Sequence, residues 1–423
     1  MEVKEPSAQY LSSREQQLTE IGPLPADWSV STVGDEFHVQ LGKMLDTEKN
    51  VGTPKPFLGN RAVQWGRIDV TDVGEIRLST SELQRYRLVD GDLLVCEGGE
   101  VGRSAIWRDQ LEECYYQKAL HRLRAKRGYS QEFMAAVLEQ FARGGMLQNY
   151  VTQTSIAHLP KEKFVALPIP KPSTADEQRG ISQAVGDADA LISSLEQLLT
   201  KKRQIKQGAM QELLTGKRRL PGFQGNWGEA TFADVAFIDP ENLSSGTPAG
   251  FSFNYIALEG VNQGRLDSFA ELQFENAPSR ARRVLRDGDV LVSTVRPNLK
   301  SHLLLDTLLG NWIASTGFSV VRCKPNIACP GFLFALLFSE VVEQQIDTLL
   351  TGSNYPAING RDVANLAFTC PPFDEQVAIA RALSDMDEEI SALESRLTKV
   401  RALKQAMAQA LLTGRIRLVE PNL

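Results

Sequence analysis

A chain of 423 residues is long enough for two or three domains with cores of their own. Its 42% hydrophobic and 23% charged residues are those of an ordinary globular protein, and no run approaches the ~18–20 apolar residues of a membrane span. A net charge of -6 removes any whole-chain signature of nucleic-acid binding, so basic surface must be local; five cysteines without a Cys-x-x-Cys pair argue against structural zinc and for a reducing, cytoplasmic compartment.

In chain order, residues 1–23 are polar, lack a signal-peptide core and are expected as a tail or an added helix on the first globular unit. Leu24-Pro25-Ala26-Asp27-Trp28 opens a β-rich globular unit expected over 24–173, the tryptophan serving as a core anchor. Within it, Arg87-Leu-Val-Asp-Gly-Asp-Leu-Leu-Val95 predicts a turn feeding a buried strand, 115–124 reads as a strand and 131–142 as a helix. A helix is expected over 174–216, with Thr174-x-x-Glu177 suiting a capping box after Pro168, Pro170 and Pro172. After a linker over 217–223, a second globular unit is expected over 224–371, again with a tryptophan (Trp227) near its entrance. Its Val284-Leu-Arg-Asp-Gly-Asp-Val-Leu-Val292 parallels the earlier turn and strand, 312–322 reads as a strand and 332–346 as a helix. A second long helix is expected over 372–414 and a tail over 415–423.

The two helices are copies. Residues 176–220 and 374–418, laid together at a constant offset of 198, match at 24 of 45 positions. Ile181, Val185, Ala188, Ile192, Leu195 and Leu199 follow 4-3-4-3-4 spacing, and Ile379, Leu383, Met386, Ile390, Leu393 and Leu397 repeat it in register. That is the narrow seam of a coiled coil. Both seams pass a break at Lys202 and Val400 and are expected to resume at Ile205, Ala209, Leu213 and at Leu403, Met407, Leu411. Both helices stop at Leu-Thr-Gly, glycine tolerating the left-handed C-cap. The duplication favours an intrachain pair over an oligomerising coiled coil, with rods of roughly 60 Å. The globular units have diverged far more than the rods, as expected if the rods share one task and each unit holds its own.

Catalytic signals are missing. There is no Gly-x4-Gly-Lys-Ser/Thr loop, and Gly98-Gly99-Glu100-Val101-Gly102 lacks dinucleotide-site order. Cys370-Pro371-Pro372-Phe373 superficially resembles the Asn/Asp-Pro-Pro-Tyr/Phe tetrad of amino-methyltransferases, but a thiol stands where the amide belongs. His38, His121, His158 and His302 are scattered without metal-type spacing. Basic loops are the stronger signal. Residues 118–127 carry five lysines and arginines, and Arg280, Arg282, Arg283 and Arg286 are followed by Thr294-Val-Arg296-Pro-Asn298-Leu-Lys300. Guanidinium forks, amides and lysines at loop tips suit base edges and phosphates. On that chemistry the expected DNA-contacting residues are Arg61, Trp65, Arg103, Lys118 and Arg122 in the first unit, and Arg280, Arg282, Arg296, Asn298, Lys300, Asn354 and Tyr355 in the second.

Several motifs occur twice in one order: Asp176-Glu177-Gln178 and Asp374-Glu375-Gln376 at the helix entries, and Leu-Leu-Thr-Gly at both exits. Beside them stand Pro278-Ser-Arg-Ala-Arg282, Ser293-Thr-Val-Arg-Pro297, Ser315-Thr-Gly-Phe318, Gly352-Ser-Asn-Tyr-Pro356, and in the first unit Glu97-Gly-Gly99, Gly102-Arg103-Ser-Ala-Ile-Trp107 and Gln117. Over residues 24–420 the chain resembles the DNA specificity subunits of type I restriction-modification systems. The resemblance implies an α/β (α+β) fold of two β-rich target recognition domains joined by two long antiparallel coiled-coil helices with pseudo-twofold symmetry. It implies that each domain reads one half of a split site on double-stranded DNA and that the helices fix the spacer. It further implies partners: two adenine-N6 methyltransferase subunits docked on this chain, and restriction subunits that consume ATP. S-adenosylmethionine, ATP and Mg would then belong to the partners, with no cofactor or metal on this chain. A rod of roughly 60 Å spans at most about 17 base pairs at 3.4 Å per step. The divergence of the units predicts an asymmetric target, and the acidic net charge predicts weak DNA binding by this chain alone. Two other readings stay open: a duplicated coiled-coil scaffold that binds two protein partners, and a self-sufficient DNA methyltransferase or nuclease.

Overall fold

The computed structural model describes residues 11–12, 16–46, 50–71, 73–153, 157–306, 309–350 and 356–418. The chain divides into two compact units, Met1–Leu195 with Arg396–Leu423, and Glu196–Ser395. Each is a β-rich body with two helix halves. The long helices, Ala175–Leu213 and Phe373–Leu412, start in different units and end in the other one. Within each unit the two halves run antiparallel. In the first, Glu177 pairs with Arg417 and Asp189 with Lys404; in the second, Glu375 pairs with Arg219 and Asp387 with Lys206.

Both helices continue through Lys202 and Val400, where the apolar spacing breaks. The seam residues separate according to place. Ile181 and Val185 are buried in a cluster with Leu24, Trp28, Phe133 and Leu411, and Ile379 and Leu383 in one with Leu213, Phe232 and Phe332. The helix entries are therefore packed into the globular cores. Leu195, Leu199 and Leu397 are buried farther along, while Ile192, Ile390 and Leu393 are half-buried. The expected resumption fails at Ile205 and Leu403, which are 47% and 67% exposed. Two helices alone cover only a narrow strip of each other, and positions off that strip stay in solvent unless a body encloses them.

Each body is built on two sheets of three or four strands, beside several two-stranded pairs. In the first unit one sheet has the order Ser104–Ile106, Leu93–Cys96, Leu120–Ala125, Phe37–Leu41, all antiparallel. The other sets Thr53–Leu58 between Tyr115–Tyr116, to which it is parallel, and Gly74–Leu78. The second unit repeats this frame. One sheet runs Ala236–Ile238, Phe318–Cys323, Val290–Ser293, Leu303–Leu304, and the other Ala270–Gln273, Ser252–Ile256, Trp312–Ser315, with Ala281–Leu285 added at its edge. In the first unit the helix Thr80–Tyr86 follows the corresponding strand instead.

Three sequence expectations change here. Residues 115–124 and 312–322 are each two strands, because the chain crosses from one sheet to the other at Gln117 and at Thr316-Gly317. The helix expected over 332–346 is two helices, Pro330–Leu336 and Glu340–Leu349, the second started by Ser339, whose hydroxyl accepts from the Val342 amide. Part of the expected N-terminal tail is strand: Gln16–Thr19 pairs with Gly22–Pro25, and Leu11–Ser12 pairs with Ile416–Arg417.

The Asp-Gly-Asp turns owe their repetition to their second aspartate. Asp92 and Asp289 are buried; each accepts from the turn's own backbone, at Val89 (3.0 Å) and Arg286 (2.8 Å). Each also holds a guanidinium from the neighbouring strand, Arg124 (2.6 and 2.8 Å) and Arg322 (2.8 and 2.8 Å). A buried carboxylate is tolerable only with such full pairing.

The Leu-Thr-Gly exits are left-handed, with φ of +70° at Gly216 and +65° at Gly414. They differ in surroundings. A Cβ at Gly216 would press on the Trp227 ring at 3.2 Å, whereas one at Gly414 would overlap Pro25. Gly216→Ala is expected to cost about 1–2 kcal/mol from backbone strain, and Gly414→Ala about 2–4 kcal/mol because overpacking adds to it. Urea unfolding of both variants checks this, and equal losses would mean that Pro25 yields freely.

Candidate nucleic-acid interface

The last residues of two equivalent strands, Leu93–Cys96 and Val290–Ser293, set the loops on which most of the expected contacts lie. Both loops are fixed by the same backbone bonds. Glu97 donates to Ala119 O (2.9 Å) and accepts from Leu159 N (2.7 Å); Thr294 donates to Gly317 O (2.9 Å) and accepts from Ile358 N (2.9 Å). One residue on, Gly98 bridges to His158 and Val295 to Ala357. The loops therefore leave the sheets at matched points, although their sequences, Glu97-Gly-Gly-Glu-Val-Gly102 and Thr294-Val-Arg-Pro-Asn-Leu299, are unrelated.

In the first unit the structure brings together Arg61, Trp65 and Arg103. Arg61 is exposed and adjoins Asn60, whose carbonyl accepts from the Arg103 guanidinium (2.9 Å). Arg103 also pairs with Glu100 (3.2 Å), and the Trp65 indole donates to the same carboxylate (2.6 Å). Lys118 is exposed near Glu97, whose carboxyl burial pushes up in pKa against the opposing pull of the Lys118 ammonium. Arg122 does not join them. It is 6% exposed, lies over the Tyr116 ring and donates to Arg85 O (3.1 Å), Arg87 O (3.2 Å) and Gln40 Oε1 (2.7 Å). Its alternation in the strand aims it at the protein rather than the solvent, so it ties the sheet together.

In the second unit Arg296 and Asn298 are exposed on the loop 294–300, and Arg280 is exposed beside the turn that precedes Phe318. Arg296 (φ +49°) and Lys300 (φ +55°) both have left-handed backbone around the short turn Pro297–Leu299, a conformation costly for residues with a Cβ. The amide of Arg296 donates to Pro356 O (2.8 Å), which pins the loop. Lys300 pairs with Glu343, and Arg282 is half-buried over the Phe274 ring. Arg283 and Arg286, counted with the basic segment, are taken by Asp239 (2.9 Å) and Glu241 (2.8 Å). Asn354 and Tyr355 lie outside the described residues.

Sequence reading missed a hairpin beside each loop. Val63–Gln64 pairs with Arg67–Ile68, and 198 positions on Val261–Asn262 pairs with Arg265–Leu266. The signal was available as Val-Gln-Trp-Gly-Arg-Ile against Val-Asn-Gln-Gly-Arg-Leu at the same offset. Among the described residues no group of three or more His, Cys, Asp or Glu is placed to hold a metal ion.

Residues 288–401 match the family model of the type I restriction modification DNA specificity domain. The MjaX type I restriction enzyme specificity subunit of Methanocaldococcus jannaschii is 22% identical over 97% of this chain and 98% of its own. The HindI specificity subunit of Haemophilus influenzae is 27% identical over 44% of this chain and 40% of its own. Over nearly its whole length the chain is thus similar to a type I restriction enzyme specificity subunit. Its fold is shared with the S subunit from M. genitalium (TM-score 0.56, 14% identity, 94% of this chain and 96% of that one). A structure from work on assembly and conformational transition of the type I R-M system gives a TM-score of 0.56 at 18% identity over 93% of this chain and 99% of that one. Among the described residues no helix is long and apolar enough to cross a membrane.

Proposed function

We propose that this chain is a specificity subunit, the DNA-recognition component of a type I restriction-modification complex, and that it reads a bipartite, asymmetric site, each globular unit taking one half. The observation that carries this reading is the matched pair of loops. Two bodies built on one frame present at equivalent points one loop with an arginine, an asparagine and a lysine and another with glycines and glutamates. A shared frame gives both units the same approach to a duplex, and differing tips give them different bases. The long helices fix the separation of the half-sites and dock two methyltransferase subunits. S-adenosylmethionine, ATP and Mg are bound by partners, and the complex works in the cytoplasm. The subunit supplies recognition without chemistry of its own.

The experiment is to co-express the chain with its own methyltransferase subunit and map methylated adenines in host DNA at base resolution. A split, asymmetric adenine motif that disappears without this chain is expected. No motif in the presence of an active methyltransferase would overturn the reading in favour of a scaffold. Within the same assay Arg296→Ala is expected to weaken methylation selectively, by about 1–3 kcal/mol of discrimination at one position of one half-site. A loss spread evenly over all sequences would make Arg296 a phosphate contact.

A further inference from the structure

The hairpins beside the recognition loops are anchored alike and tipped differently. Gly66 donates to Ser104 O (3.0 Å) and Gly264 to His302 O (2.9 Å); Asp69 donates to Ala62 O (2.8 Å) and Asp267 to Gly260 O (2.8 Å). All four pairs correspond at the offset of 198. Arg265 is held by Asp267 (2.6 Å), and Gly264 sits against the ring of Phe334. The hairpin is thus a rigid bracket on the strand that follows the loop 294–300, His302 lying two residues past Lys300.

Only the tip positions vary in character. In the first unit the Gln64 amide donates to Arg61 O (2.7 Å) and the Trp65 indole is held by Glu100, so both are used locally. In the second unit Asn262 and Gln263 are exposed, and no partner among the described residues holds the Gln263 amide. Gln263 has φ +42° and Gly264 φ +90°, the double left-handed pattern of a type I′ turn. That turn is best made by Asn-Gly or Gly-Gly; glutamine at its first position is a poor choice for folding. Residues kept in costly backbone at an exposed tip are candidates for function. The turn needs glycine or asparagine there, and the chain supplies a longer amide that reaches outward.

We propose that Gln263, at the tip of the hairpin beside the loop 294–300 and next to Asn262, is a specificity-determining residue whose amide takes the edge of one adenine in the half-site of the second unit. A side-chain amide accepts from adenine N6 and donates to N7 at once, a pairing that no other base offers in the major groove. The first unit, with an indole at this position, cannot make that contact, so the two half-sites differ at the corresponding base. This inference rests on the DNA-reading role proposed above.

The test uses the full chain co-expressed with its own methyltransferase subunit, the methylation motif mapped for the parent and for Gln263→Gly, and urea midpoints measured on both purified chains. Glycine suits the turn, so the midpoint is expected to stay or rise. The motif is expected to lose discrimination about tenfold or more at one A·T position of one half-site, with the other half and the spacing unchanged. An unchanged motif overturns the proposal, and so does methylation that falls equally at every site. A parent chain that gives no split motif would instead remove the DNA-reading role itself, which separates the two failures.

Discussion

Glu177→Ala is expected to destabilise the first unit by about 2–3 kcal/mol. Glu177 stands at the entry of the first long helix, and its carboxylate accepts from Trp28 Nε1 (3.1 Å) and from Arg417 (2.6 and 2.9 Å). Trp28 is 2% exposed and begins the globular body; Arg417 follows the second helix and also reaches Asp27 (2.8 Å). One carboxylate therefore ties together body, first helix and second helix. Truncation leaves an indole N–H without its acceptor and a guanidinium with half its partners. The cost stays below that of a fully buried pair because the Arg417 side chain is 26% exposed and keeps Asp27. Glu177→Gln, which retains an acceptor for the indole, is expected to lose less, about 1 kcal/mol. Adding Arg417→Ala to Glu177→Ala should cost little more than either change alone, since both remove one interaction. Urea unfolding followed by tryptophan fluorescence measures the parent, the three single variants and the double variant. A Glu177→Ala midpoint equal to that of the parent would show that the clamp is incidental. The second unit repeats the arrangement, Glu375 accepting from Trp227 (3.1 Å) and Arg219, so the same series can be run there independently.

Acidification is expected to destabilise the second unit progressively between pH 6.5 and 4. His302 is 1% exposed, and burial lowers its pKa to about 4 from the ordinary 6.5. Its Nδ1 accepts from the Ser293 amide (3.1 Å), so the neutral ring carries its proton on Nε2. The unfolded chain takes up a proton below pH 6.5, while the folded chain resists until about pH 4. Stability therefore falls as pH drops through that window, by at most about 3 kcal/mol for the full shift, and levels off below it. Paired carboxylates whose pKa values are lowered, such as Asp234, lose their contribution only at more acidic pH. His302→Gln, which can still accept from Ser293, should flatten the pH dependence of the second unit's urea midpoint. A slope equal to the parent's would remove His302 as its source. Ser293 ends the strand from which the loop 294–300 springs, so the same protonation loosens the base of that loop. His121 is its counterpart in burial in the first unit, with pKa lowered to about 4 and Nε2 donating to Leu159 O (2.9 Å). There the raised pKa of Glu97 acts in the opposite sense, so the first unit should respond less.

The sequence by itself determined the duplication, the two long helices, the glycine exits and the absence of catalytic motifs. These are local or periodic properties: an apolar repeat, a left-handed cap and an offset can all be read along one dimension. It also carried the hairpin pair, whose six-residue match is short and was hidden among diverged neighbours. Tertiary structure alone decided which charges are buried or spent inside the body and which reach the surface. Arg122, Arg283 and Arg296 look alike in a basic segment, yet the first is spent on backbone carbonyls and the second on Asp239, whereas the third stands exposed at a loop tip. Strand alternation and the position of an acid far away in the chain fix that, and neither appears in local composition. The same holds for Ile181 and Ile205. Both fit an apolar helix spacing, but a globular body closes over one and leaves the other in solvent. Glu177 and Glu375 were legible as a repeated motif; that each joins a tryptophan to an arginine beyond the opposite helix required the fold, because the partners lie 149 and 240 residues away for the first and 148 and 156 for the second.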